Sequence, residues 1–145
     1  MTASDDTISA YLTRYADSLT ALDAETAAGL WSTPGMIVND RSSGVLDSRE
    51  AMVVGLRQSY PIYQRLGLAS VGFELLERRD LSERLVLVRV RWLFFDAGGA
   101  QLTDTDSYYL LRDEEEAGLQ ACVRVETDAA EKLHALATAR GVDLG

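Results

Sequence analysis

The apolar residues near the amino terminus recur at helical spacing. They fall three, four or seven positions apart, which places them on one face of a helix of about five turns. Ser4 or Asp5 is expected to cap the start of this helix by accepting a bond from a free backbone N–H. A second, shorter helix is predicted from Ala24 to Trp31, ended by Pro34 and Gly35. The apolar stripe of the first helix comprises Ile8, Tyr11, Leu12, Tyr15, Leu19 and Leu22.

The next segment combines a short strand with a third helix. Met36–Val38 is predicted to be the strand. Asp47 and Glu50 have the spacing of a capping box, which indicates a helix from about Ser48 to Leu66. Pro61 cannot donate a backbone hydrogen bond, so this helix is expected to break or kink near that residue.

A last helix is predicted over Ala129–Arg140. Asp128 and Glu131 form another capping-box pair, and Gly141 is typical of a helix end. This terminal helix, within residues 128–141, is expected to pack beside the sheet that precedes it.

The stretch from Leu68 to Glu126 reads as a four-stranded antiparallel meander, because side chains alternate between two faces of a strand. In the strand from Arg84 to Phe95, Arg89 and Arg91 lie on the face opposite the apolar residues. The apolar face is predicted to be the core face, and it carries Val86, Val88, Val90, Trp92 and Phe94.

The length of the next turn decides where two aspartates point. A two-residue turn at Ala97–Gly98, or a four-residue loop, sets Asp104 and Asp106 on the outer face beside Arg89 and Arg91. A three-residue loop would bury both carboxylates among valines, at a cost of several kcal/mol. The inward set is therefore predicted to be Thr103, Thr105, Ser107, Tyr109 and Leu111.

The preceding hairpin is consistent with that assignment. A turn at Leu81–Ser82 puts Val71, Phe73 and Leu75 on the same face as Trp92. For the last strand, residues 119–126, the pattern leaves open which alternate set faces inward.

Composition narrows the class of protein. The chain has 145 residues, 47% apolar and 26% charged, which suits one domain over residues 1–145 with its core in 5–127. A net charge of −9 disfavours nucleic acid and anionic membranes as partners. The single cysteine, Cys122, excludes an internal disulfide and leaves no Cys/His cluster for zinc. Neither a metal nor a cofactor is expected. Without a targeting or membrane-spanning stretch, the expected location is cytoplasmic.

The order helix, short helix, short strand, helix and meander resembles the nuclear transport factor 2-like superfamily, which includes ketosteroid isomerase and SnoaL-like cyclases. The pattern from Arg14 through Trp31 to Asp40 is similar to the amino-terminal region of ketosteroid isomerase. The resemblance implies an α+β, cone-shaped barrel, with amino-terminal helices packed on a curved antiparallel sheet and an extra carboxy-terminal helix.

The resemblance also implies roles for individual residues. Carried over by position, Asp40 is a general base and Tyr15 a hydroxyl donor, since proton removal beside a carbonyl needs a base and a group that stabilises the oxyanion. Tyr109 is a second candidate donor. Asp40 is equally suited to capping a turn, and Tyr15 to filling the core.

Aromatic residues are expected to line an apolar cavity, although the same residues are also suited to a filled core. The first hypothesis is a small-molecule-binding SnoaL-like domain that takes a small hydrophobic molecule. The alternatives are a cofactor-independent isomerase, cyclase or dehydratase acting on a hydrophobic carbonyl compound, and a dimerising protein-interaction domain. The candidate lining residues are Tyr11, Trp31, Ile37, Tyr60, Tyr63, Phe73, Trp92, Phe94, Thr105 and Ser107.

The outer face of the sheet suggests a homodimer. Leu87, Leu93 and Phe95 share this face with the paired arginines and aspartates, and they are too apolar for open water. Burial against a second copy or against the terminal helix is expected.

Overall fold

The computed structural model describes residues 3–143. It contains one six-stranded sheet in the order β2-β1-β6-β5-β4-β3, curved and unclosed. Neighbours are antiparallel except β1 and β6, which run parallel. The strands are β1 Trp31–Val38, β2 Ser43–Leu46, β3 Ser70–Asp80, β4 Leu85–Phe95, β5 Gln101–Asp113 and β6 Leu119–Glu126. The α+β class and the cone fold predicted from the sequence are confirmed.

Four α-helices accompany the sheet, and a 3-10 turn at Glu115–Ala117 precedes β6. Ser4 caps the first helix and Ser48 the third, each side chain accepting from a backbone N–H three residues on. The helices are α1 Asp5–Thr20, α2 Ala24–Gly29, α3 Arg49–Arg65 and α4 Ala129–Arg140. Among residues 3–143, no helix is long and apolar enough to cross a membrane.

The local structure departs from the predictions at three places. The second helix ends at Gly29, and Trp31 begins β1, so this strand is longer than the expected Met36–Val38. Strand β2 was not predicted, and it forms a hairpin with β1. Helix α3 continues through Pro61 to Arg65 without the expected break.

The β4–β5 hairpin places Asp104 and Asp106 on the outer face as predicted, but its loop length differs from the predicted one. Phe95 pairs with Gln101, which closes a five-residue loop, and a register shift at Leu102 follows. An odd loop alone would turn Asp104 and Asp106 inward, and the bulge at Leu102 reverses this parity. In the observed pairing Arg91 lies opposite Asp106, whereas a two-residue turn at Ala97–Gly98 would place Arg91 opposite Asp104.

The outer face holds the expected charge cluster. Arg89 Nη2 lies 2.7 Å from Asp106 Oδ2, and Arg91 Nε lies 3.2 Å from Asp106 Oδ1. Asp104 pairs instead with Lys132 of α4 at 2.6 Å. An ion pair therefore joins helix α4 to the outer side of β5.

The core lies between α1, α2 and the inner face of the sheet. Its fully buried residues include Ile8 and Leu12 of α1 and Val88 and Val90 of β4. A smaller cluster joins Leu66 at the end of α3 to Leu136 and Ala137 of α4. One large core under α1 thus positions the aromatic residues described next.

Candidate functional site

A pocket of about 270 Å³ lies between α1, α3 and the inner face of the sheet. We call it the inner pocket. Its walls combine aromatic rings and leucines with few polar groups, a composition typical of small-molecule sites. The lining residues are Tyr15, Leu19, Thr20, Leu22, Leu56, Tyr63, Gln64, Leu68, Ala69, Ser70, Val71, Trp92, Phe94, Tyr109 and Arg124.

Two tryptophan-to-tyrosine hydrogen bonds hold the polar end of this pocket. Trp31 Nε1 donates to Tyr15 Oη over 2.8 Å, and Trp92 Nε1 donates to Tyr109 Oη over 3.0 Å. The Tyr15 and Tyr109 rings meet edge to face, with centroids 6.0 Å apart. Since an indole N–H only donates, both phenol oxygens act as acceptors and each keeps its own proton.

The position of Trp31 depends on a glycine. A Cβ atom at Gly35 would lie 2.7 Å from Cε3 of the indole, so only glycine lets this ring lie against β1. In this position of the ring, Nε1 of Trp31 donates to Tyr15 Oη. Gly35, expected only to end a helix, instead supports the pocket.

Burial fixes the protonation of the tyrosines. Desolvation raises the pKa of Tyr15, Tyr63 and Tyr109 above the ordinary value near 10. The hydroxyl groups are therefore protonated at neutral pH and are hydrogen-bond donors.

Arg124 brings a positive charge to the same end of the pocket. Its guanidinium carbon lies 5.6 Å from the centroid of the Tyr109 ring, and its Nε donates to Ser107 Oγ over 3.3 Å. Only 21% of its side chain is exposed. Burial lowers the pKa of Arg124, but Tyr109, Glu126 and Tyr15 more than offset this, so the pKa is raised and the group stays charged.

A second bulge decides that Arg124 faces inward. Leu111 pairs with Ala121, whereas Leu110 pairs with Val123, which leaves Cys122 as the extra residue of β6. Before the bulge, Leu119 and Ala121 face the core. After the bulge, Arg124 lies opposite Tyr109. The alternating pattern left open which set of β6 residues faces inward. One set does so before Cys122, and the other set does so after it.

Asp40 lies apart from the inner pocket. It is exposed in the turn between β1 and β2, and it lines a wider groove of about 770 Å³ beside α4, which we call the outer groove. In that turn Asn39 accepts the backbone bonds, from Arg41 N and Ser42 N at 3.0 Å each. The structure thus brings Tyr15 and Tyr109 together and does not bring Asp40 to them. Tyr63 lines both cavities.

The predicted lining residues divide into two groups. Tyr63, Trp92 and Phe94 border the inner pocket. The Tyr11 hydroxyl instead donates to Leu30 O over 2.7 Å. The predicted residues that do not border the inner pocket are Tyr11, Trp31, Ile37, Tyr60, Phe73, Thr105 and Ser107.

Several pocket residues were not predicted. The alternating pattern of β6 contained Arg124 as one of two possible inward sets, but the bulge that selects it has no marker in the sequence. Leu19 was predicted only as part of a core stripe. Leu56 was predicted as a helix residue, and Leu68 and Val71 as part of the meander, without a site.

Comparison with known proteins places this chain in a family. The family model described as NTF2-like protein (DUF6841) matches residues 4–128. No curated protein matches the chain.

Solved structures share the fold at low sequence identity. A domain of unknown function with a cystatin-like fold from Nostoc punctiforme is 17% identical with a TM-score of 0.69, over 99% of this chain and 90% of that one. A ketosteroid isomerase-like protein from Erwinia carotovora atroseptica is 14% identical with a TM-score of 0.62, over 84% and 93%. A Catenulispora acidiphila protein in complex with S-DNPA is 14% identical with a TM-score of 0.61, over 84% and 90%.

Proposed function

We infer that this chain, which belongs to the NTF2-like protein family DUF6841, is a small-molecule-binding domain. The observation that carries the proposal is the inner pocket, with Trp92 and Phe94 on one wall and leucines from α1 and α3 on the other. Its volume is below the range of about 300–1,000 Å³ typical of drug-sized ligands. A molecule with one or two rings is therefore the expected size.

Binding without chemistry suits the lining best. Among the described residues that border the inner pocket there is no carboxylate and no imidazole. Proton abstraction needs a base within hydrogen-bond reach of the substrate. The hydroxyl groups of Tyr15 and Tyr109 are suited to orienting a ligand through its oxygen atoms.

The test uses a neutral ligand and a variant that fills the pocket. 2-Naphthamide should bind to the wild-type protein in isothermal titration calorimetry, and Leu56→Trp should abolish binding because the indole occupies the pocket. Val54→Trp is the matched control, since Val54 lies on the same helix but is 55% exposed. Equal binding by the two variants would contradict the proposal, as would a wild-type protein that binds neither 2-naphthamide nor 2-naphthoate.

The isomerase, cyclase or dehydratase alternative rests on Asp40 as general base with Tyr15 or Tyr109 as donor. The two hydroxyls in one pocket support the donor half of this mechanism. Its base would have to act from the outer groove, across Tyr63. The roles of Asp40, Tyr15 and Tyr109 in catalysis stay predictions.

We further propose that the protein is a homodimer and acts in the cytoplasm. Support for the dimer comes from the outer face of β4 and β5, where Leu87, Leu93, Phe95 and Leu110 are each only half-buried. A second copy covering this face would remove apolar surface from water.

A further inference from the structure

The polar end of the inner pocket consists of hydrogen-bond donors. Tyr15 and Tyr109 each accept from a tryptophan N–H, so their own protons are directed elsewhere. A bond between the two hydroxyls would use only one of these two protons. Arg124 adds a guanidinium, which has five N–H donors and no acceptor. A ligand group that accepts hydrogen bonds therefore matches this end of the pocket best.

The charge of Arg124 is only partly compensated. Nε donates to Ser107 Oγ at 3.3 Å, which is a neutral partner. The nearest carboxylate oxygen, Glu126 Oε2, lies 3.6 Å from Nη2, beyond ordinary hydrogen-bond distance. Glu126 borders the outer groove and not the inner pocket. A charged group with 79% of its side chain buried, whose carboxylate partner among residues 3–143 is this long contact to Glu126, favours an additional anion from outside the chain.

The expected anion carries a single negative charge. One guanidinium with Glu126 nearby offers at most one positive charge, which disfavours a dianion such as a phosphate monoester. The planar guanidinium matches the two oxygens of a carboxylate. The rings of Trp92 and Phe94 and the side chain of Val71 leave an apolar space for the rest of the molecule.

We propose that the inner pocket binds a small aromatic or similarly apolar carboxylate, with its carboxylate at Arg124 and the hydroxyls of Tyr15 and Tyr109. This inference rests on the proposed small-molecule binding and specifies the ligand class. Arg124 selects the anion, and the aromatic wall holds the ring. The site is locally positive in a chain whose net charge is −9.

Matched ligand pairs test the inference without any variant. Benzoate, cinnamate and 2-naphthoate are compared with their primary amides, which keep the shape and lose the charge. Calorimetry on the wild-type protein at pH 7 should give at least one pair in which the carboxylate binds about tenfold or more tightly than the amide, as expected for hydrogen bonds to charged groups. Equal affinities within every pair would overturn the inference and leave the proposed binding function standing. If neither member of any pair binds, both proposals fail.

Variants then assign the selectivity to Arg124. Arg124→Met should lose the preference for the carboxylate and keep the affinity for the amide, while Arg124→Lys should retain part of the preference. Arg79→Met removes an equal charge from an exposed position on β3 and should leave the preference unchanged. A preference that survives Arg124→Met, or one that Arg79→Met abolishes, would overturn the inference. If Arg124→Met fails to fold, Arg124→Lys and the wild-type pairs decide the question.

Discussion

The indole N–H of Trp92 donates to the hydroxyl oxygen of Tyr109 over 3.0 Å, in a part of the core where both side chains are buried. The bond links neighbouring strands β4 and β5 on their inner faces. It positions the phenol ring against the guanidinium of Arg124. One bond therefore serves both the stability of the sheet and the polar end of the inner pocket.

Replacing Tyr109 by phenylalanine should destabilise the protein by about 1–3 kcal/mol, because Trp92 Nε1 loses its acceptor while it remains buried. Urea unfolding followed by circular dichroism measures this loss. Tyr108→Phe is the matched control, since Tyr108 faces the outer side and is half-buried. Equal stability of Tyr109→Phe and the wild type would show that the bond contributes nothing net.

Stability should fall at alkaline pH. Burial raises the pKa of Tyr15, Tyr63 and Tyr109 in the folded state. The stability that these protonated tyrosines contribute is therefore fully present below the unfolded pKa near 10. It is lost as pH rises from that value through the folded pKa, since the unfolded chain releases these protons first.

The slope of the free energy of unfolding against pH measures this effect. Above about pH 10.5, each such tyrosine should lower the free energy of unfolding by about 1.4 kcal/mol for every pH unit of increase. Tyr109→Phe should therefore lose stability less steeply than the wild type. Identical slopes in the two proteins would contradict the raised pKa of Tyr109.

Asp106 should stabilise the outer face in a pH-dependent way. Burial alone would raise the pKa of Asp106, but hydrogen bonds from Arg89 and Arg91 outweigh it, and the pKa is lowered. The stabilisation is present above the unfolded pKa near 4 and is lost as pH falls through the lower folded value.

Asp106→Asn should cost about 1–3 kcal/mol at pH 7, because two arginines lose a carboxylate that is only 14% exposed. Chemical denaturation at pH 7 and at pH 3 should show this difference shrinking in acid. Asp104→Asn, which affects a more exposed pair with Lys132, should cost less than about 1 kcal/mol. A pH-independent cost for Asp106→Asn would argue against the charge as its cause.

The proposed homodimer predicts a dimer mass at micromolar concentration in analytical ultracentrifugation. Leu87→Glu should shift the protein to a monomer, because a carboxylate on the outer face opposes burial against a second copy. Leu81→Glu is the control, since Leu81 is already exposed in the turn between β3 and β4. A monomer mass for the wild type would refute the dimer.

The sequence determined most of the elements and the faces of the central strands. Helical spacing predicted α1, and strict alternation predicted which side of β4 is buried, because these periods follow from local backbone geometry. The capping-box spacing and Gly141 predicted α4. The cost of burying two carboxylates was enough to place Asp104 and Asp106 outside.

Only the tertiary structure decided the site. The five-residue loop alone would point Asp104 and Asp106 inward, and the bulge at Leu102 returns them to the outer face. The bulge at Cys122 turns Arg124 toward Tyr109. One extra residue in a strand reverses every later face, yet it leaves no local signature when both alternate sets contain apolar and polar residues. The separation of Asp40 from Tyr15 likewise depends on the unpredicted β1–β2 hairpin. The side chains that meet in the inner pocket were thus chosen by strand pairing over long sequence distances.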